Sequence, residues 1–312
     1  MKEGSAEIMT TKAKVLLMDL DVIKKRKPSP NLALMKLSAY HKARGDEIFL
    51  NFPLNQPDIT YTSCVFTWNA KRRSTVPNGA FIGGSGIDLK AELPTEVEHI
   101  MPDYSLYPGV DFSLGFTSRG CIKRCPWCIV PEKEGQIKAW TRIYEFWDKR
   151  HRKIILLDNN LLAAPNWRQT MEDLIAENLE VDFNQGLDIR MLNEDNLGYL
   201  KRVKAKRLRF AFDHIGYEKA VREGIELLRA NGLGSRKLSF YLLYGFPIIE
   251  QECIERVRIL SSYNVDIYPM AYKEPDGKEP RRRILKVDDI PLLHGSRQNI
   301  DKFLRLVGRI PC

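Results

Sequence analysis

No apolar run in this 312-residue chain approaches the ~18 residues that a membrane-spanning helix needs, so no span is expected. The opening stretch, MKEGSAEIMTTKAK, lacks the apolar segment of a signal peptide, and cytoplasm is the expected compartment. Cysteine is too scattered for a disulfide framework: Cys64, Cys253 and Cys312 stand far apart and read as buried small residues or a free C-terminal thiol. The other three cysteines are the exception, because Cys121, Cys125 and Cys128 fall together in SRGCIKRCPWCIVPEKEG. A structural zinc site would need a fourth ligand at short spacing, and none follows: the next histidine is His151 and the next cysteine Cys253.

Thiolates are soft ligands suited to iron–sulfur clusters or zinc, and three on one tight loop can hold three corners of a [4Fe–4S] cube. The fourth iron then has no ligand from this loop. An open metal position separates a site that does chemistry from one that staples a fold.

The chain carries a net charge of +9, with basic clusters at Lys24 to Lys27, Lys71 to Arg73, Lys201 to Arg209 and Arg281 to Arg283. Such clusters allow a polyanionic substrate such as RNA or DNA without requiring one, since runs of charge also form solvated faces. Apolar residues make up 44% of the chain, ample for a buried core and about two domains.

The first ~100 residues read as a small α/β unit. AKVLLMDLD, EIFLNF and ITYTSCVF are strand candidates, and PNLALMKLSAYHKARG is a helix candidate with Gly45 as its stop. A glycine turn follows at Gly83, Gly84 and Gly86, and it fits a phosphate or cofactor approach and a plain tight loop equally. From Asp111 the pattern is strand, helix, strand, as in a parallel sheet with crossover helices. The strand candidates are DFSLGFTS, RKIILLDNN, VDFNQGLDIR, RLRFAFD, KLSFYLLYGF and VDIYPMAY. Helices are expected around NWRQTMEDLIAENL, NEDNLGYLKRV, YEKAVREGIELLRANG and QECIERVRILSSY, with Gly232 a helix stop. The proline-rich, charged stretch EPDGKEPRRRI reads as a loop, and NIDKFLRLVGRI as a last amphipathic helix.

The spacing C-x3-C-x2-C, with Trp127 before the last cysteine, resembles the cluster loop of the radical S-adenosylmethionine (radical SAM) enzymes. That resemblance implies a [4Fe–4S] cluster on Cys121, Cys125 and Cys128, with SAM chelating the open iron and Trp127 near the adenine. It implies reductive cleavage of SAM to a 5′-deoxyadenosyl radical, fed by a reductant such as flavodoxin or ferredoxin, and hydrogen abstraction from a substrate. The implied fold is a partial (β/α)6 TIM-like barrel over residues 108–275, preceded by a small Rossmann-like domain over 1–107 and followed by a C-terminal extension over 276–312. IGGSGIDL and LPTEVEHIMPDYSLYP resemble the junction to a cobalamin-binding-type domain in one branch of that superfamily. The stretch from Asp19 to Pro30 holds no histidine where that domain often supplies one, so cobalamin is possible and a vestigial scaffold is favoured.

Barrel-like α/β folds place their sites at the C-terminal strand ends, and here those ends are polar. Asp158, Asn159 and Asn160 match the segment that holds the SAM ammonium in the family, although this chain has DNN in place of a GGE-type motif. Gln185 and Asp188 are candidates for the ribose hydroxyls, Arg190 for the SAM carboxylate, Asp213 as a further acceptor, and Gly245 for the turn near the adenine. Each also suits a helix cap. His214, Tyr244 and Cys253 are weak candidates for catalysis, each with a structural reading beside it. With no second cysteine group, sulfur donation from an auxiliary cluster is not expected. Three alternatives stay open: nucleic-acid modification, cobalamin-dependent methyl transfer, and a non-catalytic cluster or zinc protein that binds nucleic acid.

Overall fold

The computed structural model describes residues 12–22, 30–246 and 252–273. The chain divides into two compact units, residues 1–110 and 111–312. The loop and helix expected at the C-terminal end, the basic clusters at Lys24 to Lys27 and Arg281 to Arg283, Cys312 and residues 247–251 lie outside the described residues. Among the described residues no helix is long and apolar enough to cross a membrane.

In the first unit each expected strand forms. These are β1 (Lys14–Asp19), β2 (Glu47–Leu50) and β3 (Ile59–Ser63), joined by β4 (Phe81–Gly83) in a parallel sheet of order β2-β1-β3-β4. Val15, Leu16 and Leu17 are all buried on successive positions of β1, as befits a central strand covered on both faces. Helix α1 (Leu32–Ala43) starts where the Asn31 side chain accepts the Leu34 N–H, and it lays Leu34, Met35 and Leu37 into the core. The short helix α2 (Thr95–Glu98) is tied back to α1 by an ion pair between Glu98 and Lys36. The chain leaves β1 to one side and reaches β3 on the other, so the carboxyl ends of β1 and β3 form a topological switch point.

The second unit holds six strand segments in sequential order, parallel to their neighbours within two sheets. They are β5 (Phe112–Gly115), β8 (Lys153–Leu156), β9 (Glu180–Phe183), β11 (Leu208–Ala211), β12 (Leu238–Tyr244) and β13 (Asp266–Ala271). Between β9 and β11 the ladder parts: the two-residue strand β10 (Lys204–Ala205) takes the start of β9. Leu187 restores the connection by bridging to Phe210, and Arg209 forms an ion pair with Asp182. Helices α4 (Trp167–Ala176), α5 (Glu194–Arg202), α6 (Glu218–Ala230) and α7 (Cys253–Ser262) fill the crossovers that the amphipathic spacing predicts. Their apolar stripes, including Met171, Leu174, Leu197, Ile225, Leu228 and Val257, pack on Ile154, Val181, Phe210 and Phe240 in one core.

One expected strand is split. DFSLGFTS forms β5 but breaks after Gly115, and Ser118–Arg119 then pairs as β6 with β7 (Lys138–Ala139) in an antiparallel ribbon. The cysteine run and a one-turn helix, α3 (Val130–Lys133), lie between the two arms of that ribbon.

Candidate functional site

The split in the first strand is imposed by Asp158, two residues past the end of β8 at Leu156. Asp158 is 3% exposed, and its carboxylate collects the backbone N–H groups of Thr117 (3.1 Å) and Ser118 (2.5 Å) and both hydroxyls (2.8 and 2.6 Å). A strand cannot continue through residues whose amides point at a neighbouring carboxylate, so the chain turns there into the cysteine loop. Burial pushes the Asp158 carboxyl above the usual range, and those hydrogen bonds pull against it.

Two further devices shape the loop. Gly120 sits at φ +79°, and a Cβ there would run into the Gln136 carbonyl, so this position needs glycine for both conformation and space. Glu134 reaches back to the loop: its Oε2 accepts from the Gly120 N–H (2.9 Å) and the Asn159 side chain (2.8 Å) and pairs with Arg119. The Cys121 N–H donates to the Gly135 carbonyl, and the Cys128 N–H to that of Cys125.

Cys121 Sγ accepts from the Lys123 N–H (3.4 Å) and from the Asn160 side-chain nitrogen (3.8 Å). Cys125 feels the charges of Arg190 and Asp213 as well as the other two thiols; burial pushes its thiol up, while Arg190 draws it down. Cys128 is exposed and feels Asp213 and Glu134. Among the described residues no three His, Cys, Asp or Glu side chains converge on one ion-sized position. A cube presents its irons at separate corners, so its thiolates need not meet at one point.

The polar strand ends gather around the same loop. Asn160 is buried; its nitrogen also donates to Asp188 Oδ2 (3.3 Å), and its Oδ1 has no hydrogen-bond partner among the described residues. Asp188 grips Arg190 through two parallel bonds, to Nε (2.7 Å) and Nη2 (2.8 Å), and the guanidinium lies over the Tyr217 ring. Asp213, after β11, accepts the Leu243 N–H (2.9 Å); burial pushes its carboxyl up, against the pull of Arg256 and Arg190. Trp127 packs edge-on against Phe246 after β12, and Phe246 against Tyr272 after β13. Gln185 is exposed on the turn after β9, and Gly245 follows the end of β12.

Other candidates stand apart from this arrangement. His214 accepts the Gly216 N–H on Nδ1 and caps the short turn Ile215–Tyr217. Tyr244 is buried at the end of β12, and Cys253 is core at the start of α7. Sequence reasoning passed over Thr117, Ser118 and Glu134, and also Arg256. Arg256 is fully buried and donates to the carbonyls of Phe212 (2.7 Å) and Leu243 (2.8 Å), tying together the ends of β11 and β12 beside Asp213. A signal for it existed: Arg256 falls among Cys253, Val257 and Leu260, the buried stripe of α7.

In the first unit the described residues at the switch point hydrogen-bond to one another. Asp21 accepts from the N–H groups of Val65 (2.6 Å) and Phe66 (3.3 Å) and from Asn69 (2.8 Å), while Arg72 donates to the Leu20 and Val22 carbonyls. The glycine turn closes over the end of β3: at Gly84, φ +95°, a Cβ would overlap the Cys64 backbone. It is a tight turn between packed elements, with the Gly86 N–H on the Cys64 carbonyl (2.9 Å). Beside it, Phe66 and Trp68 stack at 4.6 Å on the surface, followed by the exposed Lys71 and Arg73.

These features define an α/β protein with mostly parallel sheets and a cysteine-bearing polar pole on its second unit. No family model and no curated protein matches the chain. Among solved structures it is similar to the apo, selenomethionine-labelled cobalamin-dependent S-adenosylmethionine radical enzyme OxsB, at 13% identity and a TM-score of 0.44. The alignment covers 84% of this chain and 49% of that one, so this chain spans about half its length.

Proposed function

We propose that this protein is a radical SAM enzyme that holds a [4Fe–4S] cluster through Cys121, Cys125 and Cys128 and abstracts hydrogen from a substrate. One observation carries the reading: a C-x3-C-x2-C loop leaves the end of the first of six sequential parallel strands and faces polar residues from the strands that follow. On this reading the six strands are the wall of an open partial barrel, and the first unit is a Rossmann-like scaffold.

The cluster and SAM together supply one-electron cleavage of a carbon–sulfur bond, which leaves methionine and a 5′-deoxyadenosyl radical. The residues present suit them. Thiolates are the donors an iron–sulfur cube takes, and the buried Asn160 Oδ1 is an acceptor in need of a donor such as an ammonium. Arg190, kept in place by Asp188, supplies positive charge for the SAM carboxylate. Gln185 remains the candidate for the ribose hydroxyls, whereas the Asp188 carboxylate is taken up by Arg190 and Asn160, and Trp127 and Phe246 offer an apolar wall for the adenine next to Gly245. Asp158 and Asn159 serve differently from the family pattern: Asp158 fixes the root of the loop, and Asn159 fixes Glu134 beneath it. A one-electron reductant such as flavodoxin or ferredoxin is the partner this chemistry requires, and cytoplasm is its expected setting.

Cobalamin is not favoured in the first unit. At the carboxyl ends of β1 and β3, where a parallel α/β sheet takes its ligand, Asp21, Asn69 and Arg72 are hydrogen-bonded to one another or to the chain, and the glycine turn lies against the end of β3. Hydroxocobalamin added to the protein should leave its visible spectrum unchanged.

A polynucleotide substrate is the second reading, favoured by the stacked Phe66 and Trp68 beside Lys71 and Arg73. It predicts RNA or DNA binding that weakens with salt, and salt-insensitive or absent binding removes it.

The deciding experiment is anaerobic reconstitution with iron and sulfide, then dithionite and SAM, with 5′-deoxyadenosine read by mass spectrometry. About four irons per chain and the nucleoside are expected, and Cys125→Ala should lose both. Zinc in place of iron, with SAM intact, would mean that the loop is structural.

A further inference from the structure

We infer that Arg190, Asp188 and Asn160 form a relay of positioning residues that sets the reduction potential of a cluster held at Cys121. This rests on the reading of Cys121 as a cluster ligand.

The relay is fixed by hydrogen-bond logic. An ionised carboxylate only accepts, and Asp188 Oδ2 lies 3.3 Å from the Asn160 side-chain nitrogen. Were the Asn160 amide turned over, its carbonyl oxygen would face that carboxylate oxygen, acceptor against acceptor. The nitrogen therefore faces Asp188, and the same nitrogen is then the atom 3.8 Å from Cys121 Sγ. Asp188 is held by its two-pronged bond to Arg190 and by the Arg190 N–H (3.1 Å), and Arg190 by the Tyr217 ring at 4.1 Å. Asn160 is 3% exposed, so solvent does not compete for its amide.

Reduction adds one negative charge to a cluster, shared with its thiolate ligands, and an N–H donor at the sulfur stabilises the reduced form more than the oxidised one. Outer partners of this kind tune metal sites as the ligands do. Asn160 thus favours the reduced cluster, and Asp188 and Arg190 act through it. The Lys123 N–H on the same sulfur belongs to the loop backbone and stays in every variant.

The test is a one-electron titration of the full chain, reconstituted anaerobically without SAM, with dithionite and mediators setting the poise and electron paramagnetic resonance reading the reduced fraction. At a fixed poise, Asn160→Ala should lower the ratio of reduced to oxidised cluster about five- to tenfold, a tenfold change corresponding to ~59 mV for one electron. Asp188→Asn, which keeps the shape and releases the Asn160 amide from its acceptor-only partner, should lower it too. Were Asp188 only a nearby negative charge, its removal would raise the ratio. That rise overturns the relay, as does an unchanged ratio in Asn160→Ala at parental iron content. Should Asn160→Ala fail to hold iron, Asp188→Asn decides alone. A parent protein that binds no iron fails differently: it sinks the cluster assignment itself, and the relay with it.

Discussion

The Asp158 carboxylate lies 2.5 Å from the backbone nitrogen of Ser118 and 2.6 Å from its hydroxyl, and this contact is where a sheet strand ends and a cysteine loop begins. Thr117 and Ser118 are both fully buried, so without the carboxylate their donors would face the interior unpaired. Asp158→Ala should destabilise the second unit by about 2–4 kcal/mol, measured by denaturant unfolding, and should abolish iron retention. A variant with parental stability and full iron would show that the loop is rooted elsewhere.

Gly120 makes a second demand on the same loop. A Cβ there meets the Gln136 carbonyl in a left-handed backbone conformation, so Gly120→Ala should cost about 1–3 kcal/mol locally. The expected result is a loss of iron per chain with the far-ultraviolet circular dichroism retained, because the core strands lie outside the ribbon. Normal iron uptake would refute the close approach.

Arg256 binds the ends of β11 and β12 from inside the core, and its charge faces Asp213. Arg256→Ala removes a buried charge that holds two carbonyls and balances a carboxylate, and should lower stability by about 3–5 kcal/mol. Arg256→Lys offers a single ammonium in place of a planar fork and should recover only part of that loss. Thermal unfolding of both variants checks the order; parental stability in Arg256→Lys would show that the fork geometry is not needed.

Cys64 should be chemically silent where the loop cysteines are not. Burial, with Asp21 nearby, pushes its thiol up to about 11, and only a thiolate is alkylated. Metal-free protein treated with iodoacetamide at pH 8 should therefore be modified at the exposed Cys128 well before Cys64, read by peptide mass spectrometry. Raising the pH toward 11 should bring Cys64 into reaction; early labelling at pH 8 would contradict its burial at the end of β3.

The elements, and the chemistry carried by near neighbours, were legible along the chain. Strand and helix periodicity located β1 to β3 and the six parallel strands of the second unit, because a buried parallel strand must be apolar on both faces and a crossover helix on one. The spacing of Cys121, Cys125 and Cys128 was legible because all three lie on one short loop. Tertiary structure alone decided what distant residues do to one another. Asp158 reads in sequence as a strand-end acceptor open to a ligand, yet Thr117 and Ser118, about forty positions earlier, take up its carboxylate. Arg72 reads as part of a basic run that could face solvent, yet it donates to the Leu20 and Val22 carbonyls after β1. Periodicity records how a residue relates to its own element, whereas a hydrogen bond across the sheet depends on which strand ends the fold brings together, and one chain's pattern does not encode that pairing.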